Sequence, residues 1–506
     1  MTAPPRPRMV GAEDPMSANS GHWDAELFRR EGHRMVDWIA GYLDGGNRQY
    51  PVLSRLAAGD VGRRLPKTAP ATAEDPAVVW QDFLDVVLPG VTHWNHPGFM
   101  AYFSITGSGP GILGELLSAA LNVNGMLWRT SPAATELELE VLQWLRRALE
   151  LPDDFFGFLT DTASVSSMLG LATAREAADL DIRQRGMSGR SDLPALRVYA
   201  SDQAHSSIAK GCIALGLGLD GYRPVPHNAD YRMDTRALTS AIAADRRAGR
   251  IPIAVVATVG TTSTTSVDPV REIARICADE GLWLHVDAAY AGTAALCPEH
   301  RWALDGCELA DSFVFNPHKW MFTPIDCSAL YTRHRELFRR AFSLVPEYLT
   351  TPLGGSEHAV DLMDYGVQLG RRFRALKLWW VLRSFGLDGI RERLREHIRL
   401  AQCFAAFIDR APAFERVAPA PFSVVCFRAR PEGLAGAELD SFNLHLLERV
   451  NASGEVFLSH TRLDGGIALR VAIGNLGTTE ADVRRCQELL LAAVCEQETR
   501  RSPAGR

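Results

Sequence analysis

The sequence predicts an α/β fold in which a mostly parallel sheet is flanked by helices. Between about residues 109 and 376, short apolar runs alternate with amphipathic stretches, a pattern typical of a parallel sheet covered on both faces. The clearest helix follows Asp268, because Pro269 suits its first turn and Gly281 its C-terminal stop. An apolar run lies on each side of this helix, so the unit is predicted to be βαβ.

Five apolar runs bounded by polar or turn residues are the predicted strands of this sheet. They are Gly157 to Thr160, Leu196 to Ala200, Ile253 to Thr258, Trp283 to Val286 and Ser312 to Phe315.

The segments on either side of the sheet have different patterns. Residues 22–108 are mostly helical and too thin to bury their own apolar face, so we expect them to pack on a larger body such as a second subunit. Residues 377–497 contain helices and the strand-like runs SVVCFRA, EVFLSH and IALRVAI, and they predict a small α+β C-terminal domain. The ends, 1–21 and 498–506, have the composition of disordered tails. The residues between the N-terminal helical segment and the C-terminal domain, 109–376, are the predicted large domain.

Composition excludes several classes of protein. The 506 residues include 54 basic and 60 acidic side chains, so the chain lacks the excess of basic residues typical of proteins that bind nucleic acid or an acidic membrane. The nine cysteines form no CxxC pair, which argues against a disulfide framework or a zinc ribbon and favours a reducing cytosol. The N-terminus lacks the apolar core of a signal peptide, and no run approaches the ~18 apolar residues of a membrane span. We therefore expect a soluble cytoplasmic protein.

Lysine is rare in this chain. Only Lys67, Lys210, Lys319 and Lys377 occur, so fifty of the 54 basic residues are arginine. Lys319 stands out because apolar residues surround it in the sequence. Burial lowers the pKa of a lysine toward the amine form that attacks carbonyl groups.

Polar residues follow several predicted strands, where ligands bind in open α/β sheets. Asp287 ends one apolar run and Lys319 follows another, while His205 comes after a third. The run from Asp161 to Ser167 opens a helix with small hydroxyl residues that suit a phosphate. Taken singly, each is also compatible with a helix cap, a turn or a structural histidine. Together they provide the phosphate cradle, carboxylate and amine that pyridoxal 5'-phosphate (PLP) requires.

Five motifs carry a resemblance to a known family. They are PGVTHW (89–94), SDQAHSS (201–207), HVDAAYAG (285–292), NPHKW (316–320) and GRRFRALK (370–377). From about residue 22 to 495 the chain resembles the aromatic L-amino acid decarboxylase branch of the PLP-dependent group II decarboxylases. The resemblance implies a fold-type I enzyme that forms a homodimer with active sites at the subunit interface. It also implies an aromatic amino acid substrate.

The resemblance implies a role for each matching residue. Lys319 would hold the cofactor as a Schiff base, Asp287 would pair with the pyridine nitrogen, and His205 would stack on the ring. Thr262 would contact the ring hydroxyl side, Ala289 would pack on the ring, and Asp268 would support the surroundings of the cofactor. The residues around the phosphate would be Ala163, Ser164, Ser312, Asn316 and His318. No metal is expected, and His93 and His96 are interpreted as structural or pocket-lining residues.

Tyr348 bears on the type of reaction. In this family a mobile loop supplies a tyrosine that protonates the substrate carbon after CO2 is lost, and Tyr348 occupies the matching place. The similar aromatic aldehyde synthases carry Phe there. Tyr348 therefore favours amine formation, with aldehyde synthesis as the alternative.

The implied substrate pocket departs from the family pattern at several positions. Its residues are Trp94, Tyr102, Phe103, Ile105, Asn124, Met126 and Gly370. Gly370 leaves room for a large ring where some relatives have Ser. Ile105 replaces a hydroxyl residue, while Asn124 and Met126 replace apolar and aromatic residues of a wall given by the neighbouring subunit. Tryptophan, phenylalanine, DOPA and tyrosine therefore all remain open as substrates.

One further motif favours a different class of enzyme. Gly109, Gly111 and Gly114 fit GxGxxG, the fingerprint of a site for a nicotinamide dinucleotide (NAD). About forty mostly helical residues follow, however, with no second strand at βαβ spacing. An NAD-dependent oxidoreductase is thus the weaker hypothesis.

Overall fold

The computed structural model describes residues 23–344 and 359–501, which fall into two compact units that divide between His93 and Trp94. The first unit contains only helices and turns among its described residues. Its helices are α1 (Ala25–Leu43), α2 (Asp60–Arg64) and α3 (Pro76–Asp82). The Asp24 side chain caps α1 by accepting the Leu27 N–H at 2.7 Å.

The second unit begins with two helices and a seven-stranded sheet. The helices and strands of this region, in chain order, are α4 (Gly109–Leu121), α5 (Pro132–Ala148), β1 (Phe156–Thr160), α6 (Ala163–Ala177), α7 (Ile182–Arg185), β2 (Leu196–Ser201), α8 (Ser207–Ala214), β3 (Tyr222–Val225), α9 (Thr235–Arg247), β4 (Ile251–Thr258), α10 (Val270–Glu280), β5 (Trp283–Asp287), β6 (Ser312–Phe315), α11 (Pro317–Trp320), β7 (Ser328–Thr332) and α12 (Arg335–Phe342).

The strand order of this sheet is β1-β7-β6-β5-β4-β2-β3. Every neighbouring pair from β6 to β3 is parallel, and β7 is antiparallel to both β6 and β1. In the register, Asp287 of β5 lies opposite Thr258 of β4 and Val314 of β6. The carboxyl ends of β4, β5 and β6 therefore meet at one edge, which is where ligands bind in such sheets.

A second, antiparallel sheet follows in the same unit. Its region contains α13 (Arg374–Arg410), β8 (Phe414–Arg416), β9 (Val424–Ala429), α14 (Gly436–Ala452), β10 (Ser459–Leu463), β11 (Gly466–Ala472) and α15 (Glu480–Arg501). The strand order is β10-β11-β9-β8. These two sheets and the N-terminal helices confirm the predicted α/β fold class. No helix of the described ranges is long and apolar enough to cross a membrane.

All five predicted strands of the large sheet are present, while β3 and β7 were not predicted. β3 has a proline and two exposed residues in its four-residue span, so its pattern is weak. α10 begins at Val270, one residue later than predicted, and Gly281 ends it in the left-handed conformation at φ +64° as expected.

The C-terminal region differs from the sequence prediction in two places. Only the last two residues of the predicted strand EVFLSH, Ser459 and His460, belong to a strand. This strand, β10, begins at Ser459 and continues to Leu463. α15 extends to Arg501, so the predicted tail at 498–506 begins too early. Glu496 pairs with Arg500 one turn later and with Arg449 of α14, which stabilises this last part of the helix. The other domain boundaries remain predictions.

The GxGxxG glycines serve helix packing. They begin α4, and before α4 the aromatic run 99–103 forms only an isolated bridge between Phe99 and Phe457. A Cβ on Gly111 would lie 2.3 Å from Pro324 Cδ, and one on Gly114 would lie 2.7 Å from Lys377 Cα. Close packing therefore explains these glycines without a dinucleotide.

Candidate active site

Lys319 lies in the single turn of α11, directly after β6. Pro317 suits the first position of this turn, and the Lys319 N–H donates to Asn316 O at 3.0 Å. The flanking Trp320, Met321 and Phe322 are fully buried. Desolvation lowers the pKa of the Lys319 amine, while the nearby Asp287 carboxylate partly opposes this shift. The amine thus lies in surroundings that favour its nucleophilic form.

Asp287 is the last residue of β5 and is only 5% exposed. Its Oδ1 accepts the Ala289 N–H at 3.1 Å, and Ala289 O in turn accepts the Asn316 N–H at 3.1 Å. These bonds connect the ends of β5 and β6. A buried carboxylate is costly unless a cation or donors face it, so Asp287 suits a protonated ligand nitrogen.

His205 follows β2, and its Nδ1 lies 2.8 Å from Ser207 Oγ and accepts the Ser207 N–H at 3.2 Å. Desolvation lowers the pKa of His205, the Lys319 cation lowers it further, and the Asp287 carboxylate raises it. The His205, Lys319 and Asp287 side chains are therefore within electrostatic reach of one another, as the sequence predicts for a shared site.

The start of α6 provides donors for an anion. Ala163 and Ser164 are the first two residues of the helix, and N–H groups at this position have no intrahelical acceptor. The partial positive charge of the helix start adds to their attraction for a phosphate.

Asn316 and His318 lie at the end of β6 and are almost completely buried. His318 Nδ1 accepts the Cys327 N–H at 2.9 Å, so a neutral ring carries its proton on Nε2. Burial and the Lys319 cation lower the pKa of His318 to about 4, which keeps the ring neutral. Asn316 Nδ2 lies 3.4 Å from Nε2, and Asn316 Oδ1 is buried without a partner among the described residues. Oδ1 is an acceptor, so it has capacity for a ligand N–H or O–H and not for a phosphate oxygen.

Ser312 is not brought to this cradle, contrary to the sequence prediction. Ser312 begins β6, whereas the cradle lies at the other end of the strand. Its Oγ accepts the Trp283 Nε1–H at 2.8 Å and lies 2.8 Å from His285 Nδ1. His285 Nε2 in turn lies 3.1 Å from Ser167 Oγ. Ser312 therefore belongs to a buried polar network that joins β5, β6 and α6.

The loop between β4 and α10 carries Thr262 and Asp268. Asp268 is 1% exposed, and its two oxygens accept the Met233 and Thr258 N–H groups at 2.7 and 2.8 Å. Burial raises the pKa of Asp268 to about 6. Asp268 thus fixes the end of β4. Thr262 lies between β4 and Asp268 on the same loop, and its side chain is exposed.

Arg470 of β11 is a residue of this site that the sequence analysis missed. It is 4% exposed, and its guanidinium donates to Thr262 O and Ser263 O at 2.8 Å and to Tyr102 O at 3.3 Å. No carboxylate pairs with it among the described residues. The one feature of the sequence that marks Arg470 is its position as an arginine inside the apolar run IALRVAI. Arg470 therefore fixes the Thr262 loop and the Tyr102 segment.

The Phe103 ring lies close to both the half-buried Lys319 and the buried Arg470. Its ring centre is 5.2 Å from Lys319 Nζ and 5.5 Å from Arg470 Cζ. Tyr290 stacks on this ring at 3.8 Å, and Trp320 stacks on Tyr290 at 4.7 Å. The stack gives Lys319 a rigid apolar border.

The remaining predicted pocket residues form two groups. Trp94 stacks on Tyr102 at 6.0 Å, and both rings are partly exposed. Asn124, Met126 and Gly370, called here the pocket wall, form the second group: Asn124 Nδ2 lies 3.5 Å from Met126 Sδ and would be 3.9 Å from a Cβ on Gly370. Ile105 is half-buried and lies close to Tyr102 of the first group along the chain. Tyr348 lies outside the described residues.

The two histidines of the HWNH run have structural partners. His93 Nδ1 lies 2.8 Å from the Tyr42 hydroxyl within the first unit. His96 Nδ1 accepts the Gly98 N–H at 2.9 Å within the second.

These groups match the needs of one cofactor. A desolvated amine of lowered pKa suits an aldehyde, a buried carboxylate suits a pyridinium nitrogen, and a helix start suits a phosphate. The fold and the site therefore define a PLP-dependent enzyme with a mostly parallel sheet.

The chain belongs to the pyridoxal-dependent decarboxylase family, because the model of the pyridoxal-dependent decarboxylase conserved domain matches residues 59–430. Tryptophan decarboxylase 2 of Oryza sativa subsp. japonica is 41% identical over 92% of this chain and 94% of that protein. Phenylacetaldehyde synthase of Arabidopsis thaliana is 40% identical over 92% and 96%. The structure of Oryza sativa TDC with PLP and tryptamine matches with a TM-score of 0.90 and 37% identity over 96% of this chain and 100% of that chain. The chain is therefore a PLP-dependent carboxy-lyase, and the family resemblance is confirmed.

Proposed function

We propose that this enzyme decarboxylates an aromatic L-amino acid to the corresponding amine and CO2. The observation that carries the proposal is Lys319, a desolvated amine beside Asp287 and bordered by the Phe103 ring. Aromatic side chains line the region around it, which suits an aromatic substrate. The relatives named for tryptophan decarboxylation and phenylacetaldehyde synthesis support the same substrate class.

When bound, PLP supplies an electron sink for the bond broken at the substrate Cα. Lys319 Nζ would hold the cofactor aldehyde and would accept or deliver a proton within its apolar border. Asp287 would keep a proton on the pyridine nitrogen, because the carboxylate is buried and favours a positive neighbour. His205 would stack on the ring, and Ala289 would pack against it.

The N–H groups of Ala163 and Ser164 would hold the phosphate, with Asn316 and His318 as its surroundings. His318 stays neutral, and its Nε2 lies 3.4 Å from Asn316 Nδ2. Thr262 would contact the ring hydroxyl side from a loop that Asp268 and Arg470 hold in place. Hydrogen bonds to backbone groups fix the Thr262 loop before any ligand arrives, so little ordering of this loop remains to be done on binding.

Tyr348 donates the proton that the substrate Cα needs after CO2 leaves. This step decides between two products, because a Cα that is not protonated promptly is open to attack by oxygen. Amine formation is therefore assigned to the tyrosine at this position.

The active unit is a homodimer whose sites are completed by the neighbouring subunit. α4 supports this assignment, because Leu113, Leu116, Leu117 and Leu121 are each at least 42% exposed on one helix. Such an apolar face is unusual on a monomer and suits a second copy of the chain. All nine cysteines are free, which suits a reducing cytoplasm.

A panel of amino acids tests the proposal. Purified enzyme with PLP is incubated with tryptophan, phenylalanine, tyrosine, DOPA and histidine, and amine, CO2, aldehyde and peroxide are measured. Amine and CO2 in equal amounts from at least one aromatic substrate are expected. Aldehyde and peroxide as the main products would assign the enzyme to aldehyde synthesis instead.

Replacing Tyr348 with phenylalanine tests the proton donor. We expect Tyr348→Phe to lower amine formation by about 10²-fold or more, the usual contribution of a general acid. Aldehyde and peroxide should rise in the same reactions. An unchanged product ratio would remove Tyr348 from the mechanism.

A further inference from the structure

A buried ion pair lies at one edge of the large sheet. The side chains of Arg371 and Glu138 are each 4% exposed, and Arg371 Nη2 donates to Glu138 Oε1 at 2.6 Å. Both side chains also bind the backbone of Leu159, since Glu138 Oε1 accepts its N–H at 3.0 Å and Arg371 Nη2 donates to its O at 2.9 Å. Leu159 belongs to β1, which stands at one end of the strand order. The pair therefore holds both polar backbone groups of one residue in an edge strand.

Arg371 is itself held at several points. Its N–H donates to Asn124 Oδ1 at 2.9 Å, and its O accepts the Gly125 N–H at 2.9 Å. Its guanidinium carbon lies 4.5 Å from the centre of the Phe158 ring. Because its backbone and its side chain are both fixed, Arg371 sets the position of the β1 backbone that it binds.

Leu159 lies four residues before the start of α6. The next residue, Thr160, places its Oγ1 2.7 Å from Ser166 Oγ of α6, and Ser166 Oγ lies 2.8 Å from Ser328 Oγ of β7. These hydroxyl contacts tie the end of β1 to the beginning of the helix. The position of Leu159 therefore determines where α6 begins and how its first N–H groups are oriented.

The start of α6 is joined to the edge of the sheet that carries Asp287 and Lys319. Ala163 belongs to one buried hydrophobic cluster with Ala289, two residues after Asp287, and with Val314 of β6. One turn further along α6, Ser167 Oγ lies 3.1 Å from His285 Nε2 of β5. A displacement of the helix start is therefore a displacement relative to the candidate active site.

We propose that the Glu138–Arg371 pair positions the N–H groups of Ala163 and Ser164 for the phosphate of PLP. This inference rests on the proposed function, in which these N–H groups hold the phosphate. Hydrogen bonds weaken steeply as the angle at the hydrogen departs from linear, so a small rotation of the helix start lowers the affinity for phosphate. Lys319 and Asp287 follow other strands, and their own contacts do not include the pair. Glu138 and Arg371 are thus positioning residues for one part of the cofactor.

Pyridoxal separates positioning of the phosphate from a general structural role. It keeps the aldehyde and the pyridine nitrogen that Lys319 and Asp287 would bind, but it carries a hydroxyl group in place of the phosphate. The full-length protein, freed of cofactor by dialysis, is titrated with PLP and with pyridoxal, and the absorbance of the bound cofactor gives both values of Kd. A general disturbance of the site weakens both ligands and cancels in the ratio of the two values.

Two variants change the pair. Glu138→Gln/Arg371→Met removes the bond to Leu159 O and leaves no buried charge unpaired, so the chain avoids the main cost of breaking a buried ion pair. Arg371→Lys is the conservative variant, because it keeps a positive charge beside Glu138 but lacks the planar guanidinium.

Arg197→Met is the matched control. Arg197 pairs with Asp245 at 3.4 Å, and both side chains are almost completely buried. Arg197 lies near the amino end of β2, far along the strand from His205. Asp245 keeps Arg250 and the Tyr199 hydroxyl as partners in this variant.

We expect the preference for PLP over pyridoxal to fall by about tenfold in Glu138→Gln/Arg371→Met, the usual size of a single hydrogen bond, and by about threefold in Arg371→Lys. Arg197→Met should keep the wild-type ratio. The inhibition constant of inorganic phosphate against PLP binding should rise by the same factors, and this measurement serves if pyridoxal does not reach saturation. If the double variant does not fold, Arg371→Lys alone decides.

A wild-type ratio and a wild-type phosphate inhibition constant in the pair variants would overturn the inference while leaving the proposed function intact. An equal loss of preference in Arg197→Met would also overturn it, because any buried ion pair would then have the same effect. A wild-type enzyme that makes no amine from any natural aromatic amino acid would instead overturn the proposed function.

Discussion

Lys319 shows how a single residue acquires its chemistry from its surroundings. An exposed lysine is protonated at neutral pH and is a poor nucleophile. Here desolvation lowers the pKa of the amine, which the Phe103 ring and fully buried neighbours border. An arginine at this position would stay protonated and could not bind an aldehyde covalently.

The first prediction at this scale concerns that covalent link. Lys319→Arg should lose amine formation by about 10²- to 10⁴-fold. Borohydride reduction of the PLP-loaded wild type, followed by peptide mapping, should label Lys319, and the variant should give no labelled peptide. Lys67→Arg is the control, because Lys67 Nζ donates to Gly62 O on an exposed turn. A label at another lysine of the wild type would contradict the assignment.

Asp268 gives a prediction on pH. Burial raises its pKa from 3.8 to about 6, so between these values the native protein binds more protons than the unfolded chain. Stability from this group is therefore present at low pH and falls as pH rises through about 6. The Asp268→Asn variant lacks this titration. It should be less stable than the wild type, because the Asn amide nitrogen is a donor and would face a backbone N–H, which is also a donor.

The difference in free energy of unfolding between wild type and Asp268→Asn should therefore narrow by up to roughly 3 kcal/mol from pH 4 to pH 7. Urea denaturation of the holoenzyme at a series of pH values measures it, and other titrating groups cancel in the difference. A difference in free energy of unfolding that stays constant or widens from pH 4 to pH 7 would show that Asp268 is ionised over this whole range.

At the scale of elements, α4 and α13 are packed unusually closely. Gly114 of α4 faces the backbone of Lys377, and the buried Lys377 amine pairs with Glu115 Oε2 at 2.9 Å. Alanine is normally better than glycine inside a helix by about 1 kcal/mol. The close approach reverses this preference, since a Cβ at Gly114 would lie 2.7 Å from Lys377 Cα.

Gly114→Ala should accordingly destabilise the protein by about 1–3 kcal/mol, the usual cost of overpacking. Gly109→Ala in the first turn of the same helix meets nothing within 4 Å and should change stability by less than about 0.5 kcal/mol. Thermal unfolding of both variants tests the pair. Stabilisation by Gly114→Ala would show that the helices can separate at no cost.

At the scale of the whole molecule, the parallel strands bring distant residues to one edge. Asp287 ends one strand, Lys319 and His205 follow two others, and Arg470 reaches the same region from the antiparallel sheet. The exposed leucines of α4 belong to the same scale, because only a second copy of the chain would cover them in the proposed dimer.

Leu116→Glu should therefore yield a monomer with little activity, since Leu116 is 51% exposed on the proposed dimer face. Leu219→Glu, at a leucine that is 63% exposed elsewhere, should keep the wild-type mass and activity. Light scattering after size-exclusion chromatography gives the masses. A dimeric, active Leu116→Glu would place the interface away from α4.

The sequence by itself determined the fold class, the cofactor and the chemical character of each strand end. Apolar runs, Pro269 and Gly281 are local signals, and Lys319 is recognisable because lysine is rare in this chain. β3 escaped prediction because a proline and two exposed residues weaken its pattern. The five residues of β7 are all buried, so this strand lacks the alternation of buried and exposed residues that marks a strand in sequence.

Only the tertiary structure decided how side chains are used once the strands are assembled. Ser312 is paired with Trp283 and His285, Arg470 holds Thr262 from 208 residues away, and Asn124 clamps Arg371 across 247 residues. Periodicity reports which face a residue occupies but not which distant group lies opposite it. Hydrogen-bond partners across such separations are set by packing, so they become visible only in the folded chain.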